Sequence, residues 1–402
     1  MKKTFTINIS GSIFHIDEDA YEKLQKYLHM LNRHFGARFG GAERYSVALV
    51  EQLAARHEIH VFAQQIEHDW PGVSYHLVSR PLAKPRWLNQ LWFAARTWWL
   101  TRQGFDVVHS HENSWHGQVQ TIHVRPFRVG LFHGRGALRR ALKCLEILTS
   151  PRLISYWLLE AARLRALPVR CIVASSESVR AEVLAGYPGT APLLSVIPPG
   201  VHLPQGQPDR AGQRRRLGLP QHVPLALFIG NDYEKKGLPA LLVALTTLPG
   251  LHLAVVGNGV HIPAFRQRAE TLGLVDRVHF LGSLSDVTPA YEAADLLVHP
   301  TTEDSYAMVV LEALAHGLPV VVSAPAYCGI AADLVDGREA LIVADPRDAG
   351  QVAAGIRRIL DDARLAAALG AAGRNFAAGS DWGAIAARQE ALYLRLAAAA
   401  RA

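Results

Sequence analysis

Short, unbroken apolar runs recur along the chain, each followed by a turn and then by a segment with apolar residues at helical spacing. Pro224 to Ile229 and Leu296 to Val298 read as strands buried on both faces, as in a parallel sheet. Behind them, Pro239 to Leu248 and Ala307 to His316 read as helices, the second stopped by Gly317 and Pro319. Upstream, Val47, Val50 and Leu53 share one face of an amphipathic helix beside Leu49. Strands follow at Ile59 to Phe62, Phe105 to His109, Cys171 to Ala174 and Leu194 to Ile197, and Ile197-Pro-Pro-Gly-Val201 reads as a linker. Strands alternating with helices on both sides of that linker predict an α/β protein. Its two Rossmann-like, doubly wound domains, 36–200 and 201–380, face a cleft that is the default site.

The first 35 residues break the pattern. Thr4 to Ser10 and Ile13 to Ile16 alternate around Gly11-Ser12 as a hairpin would, and Tyr21, Leu24, Leu28, Leu31 and Phe35 recur at helical spacing. An atypical hairpin-helix extension, 1–35, is expected. At the other end, Ser380-Asp-Trp382 leads into an Ala-rich helix, Ala384 to Arg401, whose larger apolar residues are Leu392, Tyr393 and Leu396.

Chemistry gathers at the turns. In LLVHPTTEDSYAMVVLEALAHGLP, Asp304 and Glu312 bracket seven residues at the carboxyl end of a strand, the edge where open α/β sheets bind ligands. With a helix starting near Ser305, Glu312 lies roughly 10 Å along its axis. Carboxylates that far apart cannot share one proton or one metal. They suit the hydroxyls of two sugars, with the amides of Ser305, Tyr306 and Ala307 facing a phosphate between them. The alternative is a capping Asp304 and a solvated Glu312. A second turn, Phe228-Ile-Gly-Asn-Asp-Tyr-Glu-Lys-Lys-Gly237, carries an adjacent lysine pair. The 42 basic residues are overwhelmingly Arg, the lysines being only Lys2, Lys3, Lys23, Lys26, Lys84, Lys143, Lys235 and Lys236. Compact ammonium charges at a strand-to-helix turn would neutralise a phosphate leaving group; the alternative is a solvated surface pair. Val255-Val-Gly-Asn-Gly259 adds a further glycine turn at a strand end.

Composition narrows the classes. With 402 residues and 50% hydrophobic content the chain can bury two ordinary cores. No apolar run has the length of a spanning helix, and MKKTFTINIS lacks the apolar core of a secretory signal. Cys144, Cys171 and Cys328 are scattered, which points to a reducing cytoplasm. A formal charge of +7 favours an anionic partner, yet no nucleic-acid-binding signature is present and nucleic acid is not expected. Trp87, Trp92, Trp98 and Trp99 mix with Lys84, Arg86, Arg96 and Arg102, and a second basic run follows at Arg135, Arg139, Arg140 and Lys143. Indoles beside cations suit the headgroup level of an anionic bilayer, so peripheral contact with the inner face of a plasma membrane is expected. The alternative places these tryptophans in the core of an ordinary helix.

Together, the glycine turn with its basic pair, VVGNG, FLGSLSDV, YEAADLLVHPT, the two-carboxylate motif and GLPVVVSAPAYCGIAADLVDG resemble the donor half of GT-B glycosyltransferases of retaining family 4, over about Pro224 to Pro346. The family has Glu at both ends of the seven-residue interval, whereas here the first is Asp304, preceded by Glu303. The resemblance implies that Lys235 and Lys236 contact the donor diphosphate, that Glu312 holds the ribose, and that Asp304 or Glu303 meets donor-sugar hydroxyls. Amides of Tyr306, Ala307 and Met308, with Ser305 and Gly230 beside them, would lie near the phosphates. It implies no metal and no cofactor beyond the nucleotide-diphosphate sugar, and the sequence has neither a paired Asp-x-Asp nor a Cys/His cluster with zinc spacing. In the amino-terminal half, the loop matching Phe39-Gly-Gly-Ala-Glu43 would lie against the diphosphate and acceptor through Gly40 and Gly41, unless it is an ordinary helix-start turn. His123 resembles the family histidine at the reacting centre, with His109 and His111 as competing candidates. The last helix, 381–402, would cross back to the amino-terminal domain.

A family 4 chain has its first core strand just before the Gly loop, and here that strand looks replaced; a fusion, a misassigned start or a helix-to-strand switch at Tyr27 to Leu31 would each account for it. Residues 1–35 also loosely resemble the start of phage-shock-protein-C-like regulators. The reading that follows is a retaining, metal-independent glycosyltransferase. It would move a sugar from a nucleotide sugar to a glycan or lipid-linked acceptor, in lipopolysaccharide or other surface-glycan synthesis. A GT-B epimerase or phosphorylase, or an impaired nucleotide-sugar-binding protein, are the alternatives.

Overall fold

A computed structural model describes residues 4–9, 12–17, 28–36, 41–82, 84–132, 136–206, 208–257 and 259–401. The chain forms two compact units, Met1–Gly200 with Trp382–Ala402, and Val201–Asp381.

The first unit opens with an antiparallel hairpin, β1 (Thr4–Ile9) and β2 (Ser12–Asp17), in which Ile9 pairs with Ser12. Ser12 thus opens the second strand rather than forming the turn. Its main strands are β3 (Leu28–Leu31), β5 (Ile59–Ala63), β7 (Val73–Leu77), β8 (Val107–Ser110), β9 (Val119–Ile122), β10 (Cys171–Ala174) and β11 (Leu194–Val196). They form a parallel sheet of order β11-β10-β9-β8-β3-β5-β7, while β4 (His34–Phe35) and β6 (Gln65–Ile66) pair beside it. The helix expected through Leu28, Leu31 and Phe35 does not exist: these residues lie in β3 and β4, and Tyr21 and Leu24 fall outside the described residues. β3 hydrogen-bonds to β5 on one side and β8 on the other, so the first core strand is present in the interior of its sheet. Leu28, Met30 and Leu31 are all buried. A central parallel strand has no polar face, so its apolar positions imitate a helical period by chance.

Met30, Ile59, Val61 and Val173 line one core with Ile385, Leu392 and Leu396 of the final helix, Trp382–Arg401. Leu31, Phe62 and Val108 face a second core with Phe93.

The second unit holds β12 (Leu225–Ile229), β13 (His252–Val256), β14 (Val278–Gly282), β15 (Leu296–His299), β16 (Val320–Ser323) and β17 (Leu341–Val343), all parallel, in the order β14-β13-β12-β15-β16-β17. Its strands divide by alternate residues: Leu225, Leu227 and Ile229 face one buried cluster, Ala226 and Phe228 the other. The chain runs outward from β12 to β14 and returns on the other side of β12 as β15. The carboxyl ends of β12 and β15 therefore flank the reversal of strand order, where a crevice forms outside an open sheet.

Candidate donor site and family membership

Both turns singled out in the sequence sit at that reversal. Gly237 carries φ +83 and closes the lysine turn, and a Cβ there would stand 1.8 Å from the Pro300 carbonyl oxygen, so only glycine lets the two loops meet. The Lys235 carbonyl accepts from the Thr302 amide at 2.8 Å and from the Thr301 and Thr302 hydroxyls at 3.1 and 3.0 Å, tying the loop after β12 to the loop after β15. A Cβ on Gly230 would stand 2.8 Å from Lys236 Cγ, so glycine there lets the lysine stem cross the strand end.

Lys236 Nζ meets Asp304 Oδ2 at 2.6 Å and the Glu303 carbonyl at 3.3 Å. Lys235 and Glu303 are exposed and 3.5 Å apart. On Asp304, Oδ1 accepts from the Tyr306 and Ala307 amides at 3.2 and 2.8 Å, and Oδ2 also faces His299 Nε2 at 3.3 Å. Burial alone would raise the Asp304 pKa, but the His299 hydrogen bond and the Lys236 charge overcome it and hold the carboxyl well below the usual range. His299, the buried last residue of β15, is a site residue that sequence reasoning missed; a histidine ending an otherwise aliphatic buried run was its signal.

These contacts correct the expected phosphate cradle. The helix begins at Met308, not near Ser305, and the Tyr306 and Ala307 amides are turned onto Asp304. Ala307 takes φ +68, a left-handed conformation unusual outside glycine. Donors left by the helix itself are the first-turn amides of Met308 and Val309, since Val310 already bonds Ala307. Ser305 and Met308 are half-buried beside them. Glu312 then lies about one turn into the helix, ~6 Å from its start. It is neither free nor fully solvated: Tyr291 Oη donates to its Oε2 at 2.6 Å, and the buried Tyr291 ring stacks on His316 at 5.1 Å. Tyr291, too, was missed.

In the first unit, Gly40 lies outside the described residues and Gly41 opens the helix Gly41–Leu53, where a Cβ would meet none of the described residues within 4 Å. His123 Nε2 is 2.9 Å from His111 Nδ1 with the two rings stacked, and the His111 ring lies tilted against His109 at 4.2 Å. His109 bonds Thr121 Oγ1 and Tyr393 Oη, each at 2.6 Å. The three candidates are thus one cluster, with Tyr45 packed edge-on to His123 at 5.2 Å. Burial, reinforced by Arg163, pulls His123 down to about 3, and burial and neighbouring histidines take His109 and His111 well below their ordinary value. All three are neutral at pH 7.

Trp92, Trp98 and Trp99 are exposed, with Arg96 4.7 Å from the Trp99 ring, while Phe93, Ala94 and Thr97 fill the buried face of their helix. The core alternative is overturned for Trp92, Trp98 and Trp99, while Trp87 is half-buried: the polar Asn89, Gln90 and Thr97 share the buried face and the three exposed indoles lie outside it.

Comparison with known proteins matches residues 209–376 to the glycosyl transferases group 1 and residues 39–205 to glycosyltransferase family 4. The D-inositol 3-phosphate glycosyltransferase of Frankia alni is 32% identical over 390 residues, covering 86% of this chain and 92% of that protein. Lipopolysaccharide glucosyltransferase WaaG of Escherichia coli is 30% identical over 194 residues, 46% of this chain and about half (51%) of WaaG. The crystal structure of WaaG matches with a TM-score of 0.76 at 24% identity, covering 91% of this chain and 98% of that one. Anabaena HepE in complex with UDP-glucose matches at 0.69 and 20% identity, covering 90% and 97%. The chain belongs to the family 4 glycosyltransferases and has their GT-B fold of two Rossmann-like parallel-sheet domains.

Proposed function

We propose that the chain is a retaining, metal-independent glycosyltransferase that takes a nucleotide-diphosphate sugar and transfers its sugar to a glycan or lipid-linked acceptor of the cell surface. One observation carries the reading: Lys236, Asp304 and the Met308 and Val309 amides gather where the strand order of the second unit reverses. Asp304 and the Glu303 carbonyl occupy two of the three donors of the Lys236 ammonium, which leaves one for a diphosphate oxygen. Lys235 adds a second cation and the helix amides add dipoles, charge that a metal would otherwise supply. Glu312, oriented by Tyr291, accepts from ribose hydroxyls. The lone pairs of Asp304 are taken by Lys236, His299 and the Tyr306 and Ala307 amides, so of the two acids it is the exposed Glu303 beside it that accepts from the donor sugar.

As the bond from the anomeric carbon to phosphate breaks, negative charge grows on the diphosphate and is met by Lys236 and Lys235. The acceptor oxygen bonds to the anomeric carbon on the same face, and its proton passes to the departing phosphate oxygen. In the first unit His123, neutral at pH 7 and bonded to His111 through Nε2, keeps its other ring nitrogen for one hydrogen bond to a sugar hydroxyl.

Contact with an anionic bilayer belongs to the same proposal. Leu138, Leu142, Leu145 and Leu148 form an exposed stripe on the helix Ala137–Thr149, flanked by Arg139, Arg140 and Lys143; Arg135 lies outside the described residues. Among the described residues no helix is long and apolar enough to cross a membrane. Binding to phosphatidylglycerol vesicles that Leu142→Glu abolishes would support this surface role, and equal binding by both proteins would remove it.

The test is incubation with a panel of nucleotide sugars, with and without lipid-linked acceptors. Glycan product with the anomeric configuration of the donor is expected. Epimer or sugar phosphate formed without acceptor favours the epimerase or phosphorylase alternative, and binding without turnover favours a catalytically impaired protein.

A further inference from the structure

Between the end of β9 at Ile122 and the short helix Phe127–Phe132 run four residues, His123 to Pro126, that belong to no strand or helix. His123 opens this stretch, and the two residues after it, Val124 and Arg125, are exposed. Both ends of the stretch are held by a single helix, Pro151–Arg163. Glu160 and Arg163 stand one turn apart on that helix and so share a face.

The buried Glu160 accepts the Phe127 amide on one oxygen and the Arg128 amide on the other, the latter at 2.9 Å, so it satisfies a helix start from a different element. The Tyr187 hydroxyl donates to the same carboxylate at 2.9 Å, and three donors together offset a charge that burial would otherwise penalise. Arg163 holds the other end: Nη2 donates to the Thr121 carbonyl, and Nε to Gln120 Oε1 at 3.0 Å, both on β9. The helix that carries the pair is itself fixed. Ser150 caps its start through the Leu153 amide. At its end the buried Arg170 gives Nη1 to the Ala162 and Arg163 carbonyls at 2.7 and 3.0 Å, and Nη2 to the Trp115 carbonyl, past β8, at 2.7 Å.

We propose that Glu160 and Arg163 are positioning residues for His123, gripping the chain on both sides of it so that its ring meets the sugar at one fixed place; the assignment rests on the transferase reading above. Hydrogen bonds weaken steeply with distance and angle, so a histidine on a loosened stretch loses its bond to the sugar for much of the time. Misplacement by about 1 Å costs on the order of 10²-fold in rate. A cap that served stability alone would leave the rate of each folded molecule unchanged.

The experiment is steady-state kinetics of the full chain with the nucleotide sugar and lipid-linked acceptor that turn over fastest in the panel above, with UDP calorimetry as a control. Glu160→Ala should lower kcat by about 10- to 100-fold at unchanged KM for the donor and unchanged UDP affinity, and Glu160→Gln, which keeps one acceptor oxygen, should restore part of the loss. Arg163→Met tests the other grip and carries the assignment should Glu160→Ala fail to fold. With His123→Ala already in place, neither substitution should lower kcat by more than about twofold, because both act through that ring. Losses that multiply with that of His123→Ala, or a kcat unchanged in both single variants, overturn the assignment. A fully active His123→Ala overturns it too and leaves the donor-site reading standing. Wild type that binds UDP without turnover counts against the transferase reading, and amide exchange then decides: faster exchange over 123–128 in Glu160→Ala or Arg163→Met supports the grip, and unchanged exchange removes it.

Discussion

The ammonium of Lys236 and the carboxylate of Asp304, 68 positions apart in sequence, meet at 2.6 Å across the carboxyl ends of β12 and β15. These strands are hydrogen-bonded neighbours on either side of the point where the chain reverses direction across its sheet. The pair holds a positive charge where a helix start already favours an anion, and its own carboxylate keeps the lysine from swinging into solvent.

Lys236→Ala should lower kcat/KM for sugar transfer by about 10²–10³, because the lost charge faces a leaving group whose own charge grows in the transition state. Binding of the free nucleoside, which has no phosphate, should change little. Steady-state kinetics beside calorimetry of the nucleoside separates the two, and parallel losses would contradict the role.

Asp304 contributes stability with a defined pH window. Its folded pKa is depressed below the unfolded value of about 3.9, so the contribution is complete above that value and is lost as pH falls through the folded one. Asp304→Asn should therefore be less stable than wild type at pH 7, and the gap should narrow below about pH 4. Urea denaturation of both proteins across pH 3 to 7 measures it; a gap independent of pH would mean that the carboxylate charge is not what matters.

His109 and His111 act at higher pH and with the same sign. Their folded pKa values lie below the unfolded value of about 6.5, so the unfolded chain takes up protons first as pH falls. Stability is complete above about pH 6.5 and should decline below it by up to about 1.4 kcal/mol per pH unit for each histidine. His111→Gln should flatten that decline between pH 6.5 and 5, before Asp304 begins to titrate. An unchanged slope in the variant would place the acid sensitivity elsewhere.

Gly237→Ala should destabilise the fold by about 2–4 kcal/mol or more, since a Cβ would press on the Pro300 carbonyl and the residue must keep φ +83. Gly218 also has positive φ, +66, but with open space around it, so Gly218→Ala should cost about 1 kcal/mol. Chemical denaturation of the two variants ranks them; equal losses would show that backbone strain, not the loop contact, decides.

The donor turns were legible because their chemistry is contiguous: a lysine doublet and an acid pair each follow an apolar run, and strand ends carry sites in such sheets. The acid motif was read less well in detail. Asp304 was seen, but not that its Oδ1 would draw in the Tyr306 and Ala307 amides and delay the helix to Met308, a choice between turn and helix made by a few hydrogen bonds. Tyr291 has no local signature and His299 only that of a histidine ending an aliphatic run, since each acts on a residue carried by another element or loop.

By itself, the sequence determined the alternation of buried strands and helices, the two-domain α/β plan and the positions of Lys236, Asp304 and Glu312, because burial on both faces and turn chemistry are local properties. Tertiary structure alone decided that Leu28 to Leu31 is an interior strand of the first sheet and that Arg33 meets Glu112 beside a basic cavity. A strand buried on both sides shows no alternation to distinguish it from a helix. A contact between residues 79 positions apart exists only once the sheet has set their strands side by side.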